Sequence, residues 1–209
     1  NYVAAYEPWS SVRKECPDLN IAIYAYGERI LKERLKKSQE SEKIERQKDL
    51  LQLYDDWANY FPTKKGRNDI GNILSAKAQT MIDFKIGSDI EIYSIFDDAF
   101  KKDLESFSNP KRLYSYFKTF YEIYKAGNGK ISTEELFDKY EEVSEKFETE
   151  GVKISKNLDK ILKKESGGEA LTTRDLKLRK VYDSYSNAIA VSLKSLDAIM
   201  SKESSCDNL

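Results

Sequence analysis

Histidine is absent from this chain of 209 residues, and cysteine, proline and glycine are scarce, with two, four and nine copies. Without histidine, neither a Ser-His-Asp nor a Cys-His nucleophile can be built, and metal sites that need an imidazole are excluded. The sequence also has no glycine-rich phosphate loop and no dinucleotide-binding fingerprint. We therefore expect a protein that is not an enzyme, takes no small-molecule substrate and needs no cofactor.

An excess of one charge sign is also missing. Lys and Arg together number 35 and Asp and Glu 36, so the formal net charge is −1 although 34% of the residues are charged. Nucleic-acid binding needs a basic excess, so a nucleic-acid partner is not expected. No apolar run approaches the roughly 20 residues of a membrane span, so the sequence predicts no transmembrane segment.

Apolar residues recur at steps of three and four, which predicts an all-α fold. Within it, the order small or aliphatic residue, aromatic residue, proline is typical of the second helix of a tetratricopeptide-type repeat, and it occurs twice. The two copies are Ala5, Trp9 and Pro17, and Leu50, Tyr54 and Pro62. Between them, Ile23, Tyr26, Gly27 and Ile30 match the spacing of the first helix, in which the small residue lets two helices approach closely.

We therefore predict a TPR-like array of helical hairpins over residues 1–131. The predicted helices of this array are about 1–15, 20–37, a third that ends near Phe61, 69–84, one that begins after Ser88, and 109–126.

In the last third of the chain, the apolar residues follow the helical spacing over longer stretches than in the segments before it. Ser132 with Glu135 and Thr172 with Asp175 form two capping boxes. Each box precedes a long series of apolar residues at alternating steps of three and four, and the first series continues through Gly151. We predict two long helices, 132–165 and 172–202, joined by a Gly-rich turn as an antiparallel coiled-coil hairpin over 132–203, with a tail at 204–209.

Residues 127–135 read like the second half of a calcium-binding EF-hand loop. If Gly129 were the turn glycine and Glu135 the bidentate ligand, the first and third ligand positions would be Tyr124 and Ala126, which carry no carboxylate. We therefore expect no calcium binding, and we interpret the segment as a helix connection followed by a capping box.

Most aromatic residues are expected to pack between helices. Those that are not needed in the core can anchor a protein partner, which makes aromatic residues the class most relevant to function. On the helix 109–126, Tyr114 and Tyr121 lie about a quarter-turn from the main apolar face, with Lys118 between them. A repeat's first helix lines the inner groove at such positions. The predicted partner-binding residues are Tyr24, Leu31, Tyr114, Lys118 and Tyr121.

Several segments resemble a tetratricopeptide-repeat protein group of the Bacteroidota. The segments are Glu15-Cys16-Pro17, Ile23 to Gly27, Leu50 to Trp57, Asn109-Pro110 and Ser205 to Leu209. The resemblance implies an exported scaffold, periplasmic or associated with the outer membrane, and a chain that is trimmed at both ends. It supplies no catalytic motif.

The two cysteines, Cys16 and Cys206, lie near opposite ends of the chain. An oxidising compartment would allow a disulfide between them, and two free thiols are the other interpretation. If the protein is exported, we expect both to be oxidised in the full-length protein, either together or with other cysteines.

The sequence thus predicts a non-enzymatic helical-repeat adaptor that holds a protein partner in its groove or along its protruding hairpins, as an accessory subunit of a cell-envelope assembly. The alternative is a structural coiled-coil or oligomerisation protein whose long hairpin is the interacting surface.

Overall fold

A computed structural model describes residue 2 and residues 4–127 and 131–204. This part of the chain is all-α, as predicted, and has eight helices. Their bounds are α1 Tyr6–Glu15, α2 Ala22–Lys36, α3 Glu40–Tyr60, α4 Ile70–Phe84, α5 Asp89–Lys102, α6 Pro110–Lys125, α7 Thr133–Ser166 and α8 Thr173–Glu203. Two-residue strands, β1 Thr63–Lys64 and β2 Arg67–Asn68, pair antiparallel in the connection between α3 and α4.

Local sequence signals set the helix ends. The predicted capping boxes at Ser132 and Thr172 are confirmed: each hydroxyl accepts the N–H of the residue three positions on, and that residue's carboxylate accepts the N–H of the cap. Pro110 occupies the first turn of α6, where its missing N–H leaves no bond unmade. The structure also confirms that a single helix continues through Gly151.

The chain divides into two compact units, Asn1–Phe107 and Ser108–Leu209. In the first unit, α2 packs against α1 and α3, and α4 packs against α3 and α5. The glycine of α2 does allow a close approach, because a Cβ on Gly27 would lie 2.4 Å from the Trp9 ring of α1. The Trp9 indole N–H donates to the Ile23 carbonyl at 2.7 Å, which fixes α1 on α2.

The segment after α5 completes the first turn of α4. Asp69, the residue before α4, makes no side-chain capping bond to the helix. The N–H of Gly71 instead donates to the Asp103 carboxylate at 3.2 Å, and the N–H of Asn72 donates to the Ser106 hydroxyl at 2.9 Å. Two of the free donors at the start of the helix are thereby satisfied from elsewhere in the same unit.

In the second unit, α7 and α8 form the predicted antiparallel hairpin, and α6 packs against both. The Tyr140 hydroxyl donates to Asp197 at 2.7 Å near the base, and Lys164 pairs with Asp175 at 3.2 Å near the tip. The sequence assigns α6 to the repeats that end at residue 131, whereas the structure places it with the hairpin. Its apolar face lies on α7 and α8, and its Phe117 ring contacts Tyr140.

Helix α6, which packs on this hairpin, covers only part of its length. With 16 residues α6 is about 24 Å long, whereas α7 with 34 residues is about 51 Å long. Polar contacts from α6 reach Lys139 on α7 and Glu203 on α8, both near the base. The base of the hairpin is therefore a three-helix bundle. We call the remainder, residues 151–183, the distal arm, in which α7 and α8 pair as two helices.

Candidate functional site

Two of the predicted partner-binding residues, Tyr24 and Leu31, are core residues of the first unit. Tyr24 is 0% exposed and Leu31 2% exposed. The Tyr24 hydroxyl donates to the Pro17 carbonyl at 2.9 Å, and burial, followed by the nearby Asp56 charge, raises the pKa of Tyr24 to about 12. The expectation that these side chains line an open groove is therefore wrong, because the stripe that α2 buries runs through them.

Tyr121 on α6 is also buried, with 7% of its surface exposed. Its hydroxyl donates to the Glu203 carboxylate at 2.7 Å, and burial together with that bond raises its pKa to about 12. The ammonium groups of Lys118 and Lys125 lie 5.1 and 5.5 Å from the centre of its ring. Tyr121 thus joins α6 to the end of α8 and does not lie at the edge of the packed face.

Tyr114 and Lys118 are half-buried on α6. Lys118 forms an ion pair with Glu122 one turn later, and its hydrogen bond lowers the pKa of that carboxyl. Both side chains keep a free surface, so their role in partner binding stays a prediction. The predicted set of five is thus not one surface: three of its members are core, and its residues belong to two separate units.

Two side chains on the exposed face of α2 are not among the predicted partner-binding residues. The repeat pattern assigns one of them, Tyr26, to the core, and it does not include the other, Arg29. Tyr26 occupies a large-residue position of the repeat, yet 56% of its surface is exposed. The guanidinium of Arg29, also exposed, lies 5.7 Å from the centre of the Tyr26 ring. This distance is typical of a cation–π contact. We call Tyr26 and Arg29 together the α2 face.

A basic cleft of about 580 Å³ lies where the α2–α3 connection approaches the end of α4. Its walls include Lys32, Lys36, Lys43 and Lys85, with the acidic side chains of Glu40 and Asp83. Lys32 pairs with Glu28 at 2.6 Å, and Lys43 pairs with Glu40 at 3.4 Å. Because these ion pairs already neutralise part of the positive charge, the cleft does not define an anion site.

The segment that looks like a calcium loop is a helix start. The Glu135 carboxylate accepts the Ser132 N–H at 2.7 Å, and this bond lowers the pKa of Glu135. The interpretation as a capping box is therefore confirmed, whereas residues 128–130 lie outside the described part of the chain. Within that part, no cluster of three or more metal-ligating side chains exists.

Of the two cysteines, Cys16 is exposed and is a free thiol in the described structure. Cys206 lies outside the described residues, so the disulfide between them stays a prediction.

Comparison of the chain with protein-family models, with curated proteins and with solved structures gives no match. Among the helices described, none combines the length and the apolar character needed to span a bilayer.

Proposed function

We propose that this protein is a non-enzymatic, TPR-like helical-repeat scaffold that binds a protein partner. The α2 face is the observation that carries the proposal. Tyr and Arg are among the residue types that dominate protein interfaces, because each offers a large contact area together with a polar group. Tyr26 exposes such a surface at a position where the repeat pattern expects a buried residue.

The arrangement around Tyr26 supports a binding role. Arg29 one turn later holds its charge against the ring, so the two side chains present one joint surface. Ala25 beside them is also exposed. Tyr114 and Lys118 on α6 are proposed as additional contacts with the partner.

We place this scaffold in the cell envelope of a member of the Bacteroidota, as an accessory subunit of a periplasmic or outer-membrane assembly. The support for this location is the sequence resemblance in the segments around Cys16, Ile23 and the C-terminal Ser205 to Leu209.

A second candidate function is oligomerisation through the long hairpin. It is favoured by the distal arm, where apolar side chains remain open in a two-helix structure. Val152 is 53% exposed, Leu176 48% and Val181 46%. Single exposed apolar residues are ordinary on protein surfaces, but these three belong to the distal arm, which no further helix among the described residues of the unit covers.

Site-specific photocrosslinking in the cells that naturally make the protein tests the scaffold proposal. A photoreactive phenylalanine replaces Tyr26 in one variant and Tyr60, which is 42% exposed on α3, in a matched control. We expect one discrete protein adduct from position 26, reduced about tenfold or more by Arg29→Glu, since losing an anchor typically costs about 2 kcal/mol. The same adducts from both positions, or none from position 26, would refute the role of the α2 face.

A further inference from the structure

Helix α7 carries two rows of exposed like charges, one on each side of the bond between Glu150 and Gly151. The acidic row is Asp138, Glu141, Glu145 and Glu148, and the basic row is Lys153, Lys156, Lys160 and Lys163. All eight side chains are exposed, and both rows advance by steps of three, four and three residues. Each row therefore follows one side of the helix.

The whole of α7 shares this polarity. Residues 133–150 contain eight acidic residues and two lysines, a net charge of −6, whereas residues 151–166 contain five lysines and two acidic residues, a net charge of +3. Like charges three or four residues apart on a helix destabilise it. The like charges within each row therefore weaken the helix slightly, and opposite charges beside them would offset this.

Within the described part of the chain, seven of these eight side chains form no ion pair. The exception is Lys153, whose ammonium lies 2.9 Å from the Glu150 carboxylate. Several charged residues of α7 outside the rows do pair, among them Lys146 with Glu150 at 2.7 Å and Glu165 with Arg179 at 3.0 Å. Apart from Lys153, the side chains of the two rows have no charged partner within this part of the chain.

The two rows are mirror images about the Glu150–Gly151 bond. Counting outward from it, acidic residues occupy the third, sixth, tenth and thirteenth positions on one side, and lysines occupy the same positions on the other. The resulting pairs are Glu148 with Lys153, Glu145 with Lys156, Glu141 with Lys160 and Asp138 with Lys163. A twofold axis beside the helix, level with this bond and perpendicular to the helix, would bring each residue opposite its counterpart in a second α7.

We propose that a second copy of this chain docks antiparallel along α7, with the twofold axis between the two helices and level with the Glu150–Gly151 bond. The arrangement is isologous, so each of the four pairs forms twice. Thr149 and the exposed Val152 lie next to the axis and supply an uncharged contact at its centre. Glu142 and Asp159 also become opposite each other, a like-charge pair that forms twice, although Glu142 is already bound by Lys139 in its own chain.

Other occupants fit this face less well. A partner of one charge sign, such as a nucleic acid or an acidic peptide, would satisfy one row and be repelled by the other. A parallel second copy would bring like charges together. The surface lies on α7 in the second unit, so the proposal is independent of whether the α2 face binds a partner.

Exposed ion pairs are weak and are screened by salt, so the dimer should form at low ionic strength and dissociate as salt is added. Sedimentation velocity of the 209-residue chain at about 0.5 mM and ~50 mM salt should show a dimer that is largely lost at ~500 mM salt, where the Debye length falls to about 4 Å.

Charge reversal then tests the register. Glu145→Lys with Glu148→Lys should make the chain monomeric, and so should Lys153→Glu with Lys156→Glu, each raising the dissociation constant about tenfold or more. An equimolar mixture of the two variants should form a heterodimer, because two of the four pairs at these positions then form with reversed signs and the other two keep their original signs. The chain that carries all four substitutions should again form a homodimer.

Glu169→Lys with Asp183→Lys is the matched control for Glu145→Lys with Glu148→Lys, because it makes the same change in net charge at exposed positions outside the rows. This control should dimerise like the wild type. Far-UV circular dichroism verifies that each variant keeps its helix content. A monomeric wild type at low salt, a control that also dissociates, or a mixture that stays monomeric would each overturn the proposal.

Discussion

Helix α4 in the first unit and the distal arm in the second differ in how many neighbours their helices have. No residue of α4 from Ile70 to Met81 is exposed, and the buried set includes polar Ser75, Gln79 and Thr80. In α7 beyond Gly151, by contrast, only Ile154 and Ile161 are buried. Similar helical periodicity thus serves a core in one unit and a largely solvated two-helix structure in the other.

Polar contacts follow the same difference. In the first unit, the buried Tyr54 hydroxyl lies 2.9 Å from Glu28 and 2.8 Å from Thr80, so it links α2, α3 and α4. In the distal arm, the contacts between α7 and α8 at the tip are ion pairs such as Lys164 with Asp175, which is partly exposed. Buried hydrogen bonds contribute more to a fixed geometry than exposed ion pairs do. We therefore expect the distal arm to contribute less to stability and to offer more free surface.

The largest expected loss of stability comes from shortening a buried apolar side chain between the helices at the base of the hairpin. Leu196→Ala removes a side chain that is 0% exposed within the three-helix part and should lower the free energy of unfolding by about 3 kcal/mol. Leu178→Ala, the matched change in the distal arm, affects a half-buried side chain and should cost about 1 kcal/mol. Urea unfolding followed by circular dichroism measures both. Equal losses would show that the distal arm is packed as tightly as the base.

Two glycine-to-alanine substitutions, one in each unit, should change stability in opposite directions. A Cβ on Gly71 would lie 2.1 Å from the Asp103 carbonyl oxygen, whereas one on Gly151 would meet nothing within 4 Å. Gly71→Ala should therefore destabilise the first unit by about 2 kcal/mol, because backbone has to move. Gly151→Ala should stabilise α7 by about 0.7 kcal/mol, because alanine favours the helix.

Both tryptophans, Trp9 and Trp57, lie in the first unit, so tryptophan fluorescence during urea unfolding reports Gly71→Ala. Circular dichroism at 222 nm reports Gly151→Ala in the long hairpin. A stabilising Gly71→Ala would mean that the segment after α5 does not cap α4 as described, and a destabilising Gly151→Ala would mean that the glycine is needed for a close contact.

The sequence predicts the helices well because their ends depend on local chemistry. A segment of no more than four residues is enough to recognise each capping box, at Ser132 and Thr172, and the proline in the first turn of α6, Pro110. The antiparallel hairpin follows from two such starts and one short connection. These features need no knowledge of distant contacts, and all of them agree with the structure.

The side chains available to a partner are harder to predict, because burial depends on residues far along the chain. Tyr24 and Tyr26 are two positions apart on α2, yet the first stacks on Trp57 of α3 and the second is open. Tyr121 is buried in part by its contact with Glu203, which lies 82 residues later in the chain. The assignment of α6 to the second unit likewise depends on α8, which begins almost fifty residues after α6 ends.

The open face of α7 gives the most direct test of the central claim, which is that the hairpin offers an interaction surface and does not only complete the core. In a background with Cys16 and Cys206 changed to serine, Val152→Cys places a thiol next to the proposed twofold axis. Val191→Cys, at a position 67% exposed on α8, is the matched control. With a short bis-maleimide at low salt, we predict a covalent dimer from position 152 and little from position 191, and loss of the dimer on adding Glu145→Lys and Glu148→Lys. Equal dimer yields from the two positions, or no dimer from position 152, would contradict the account.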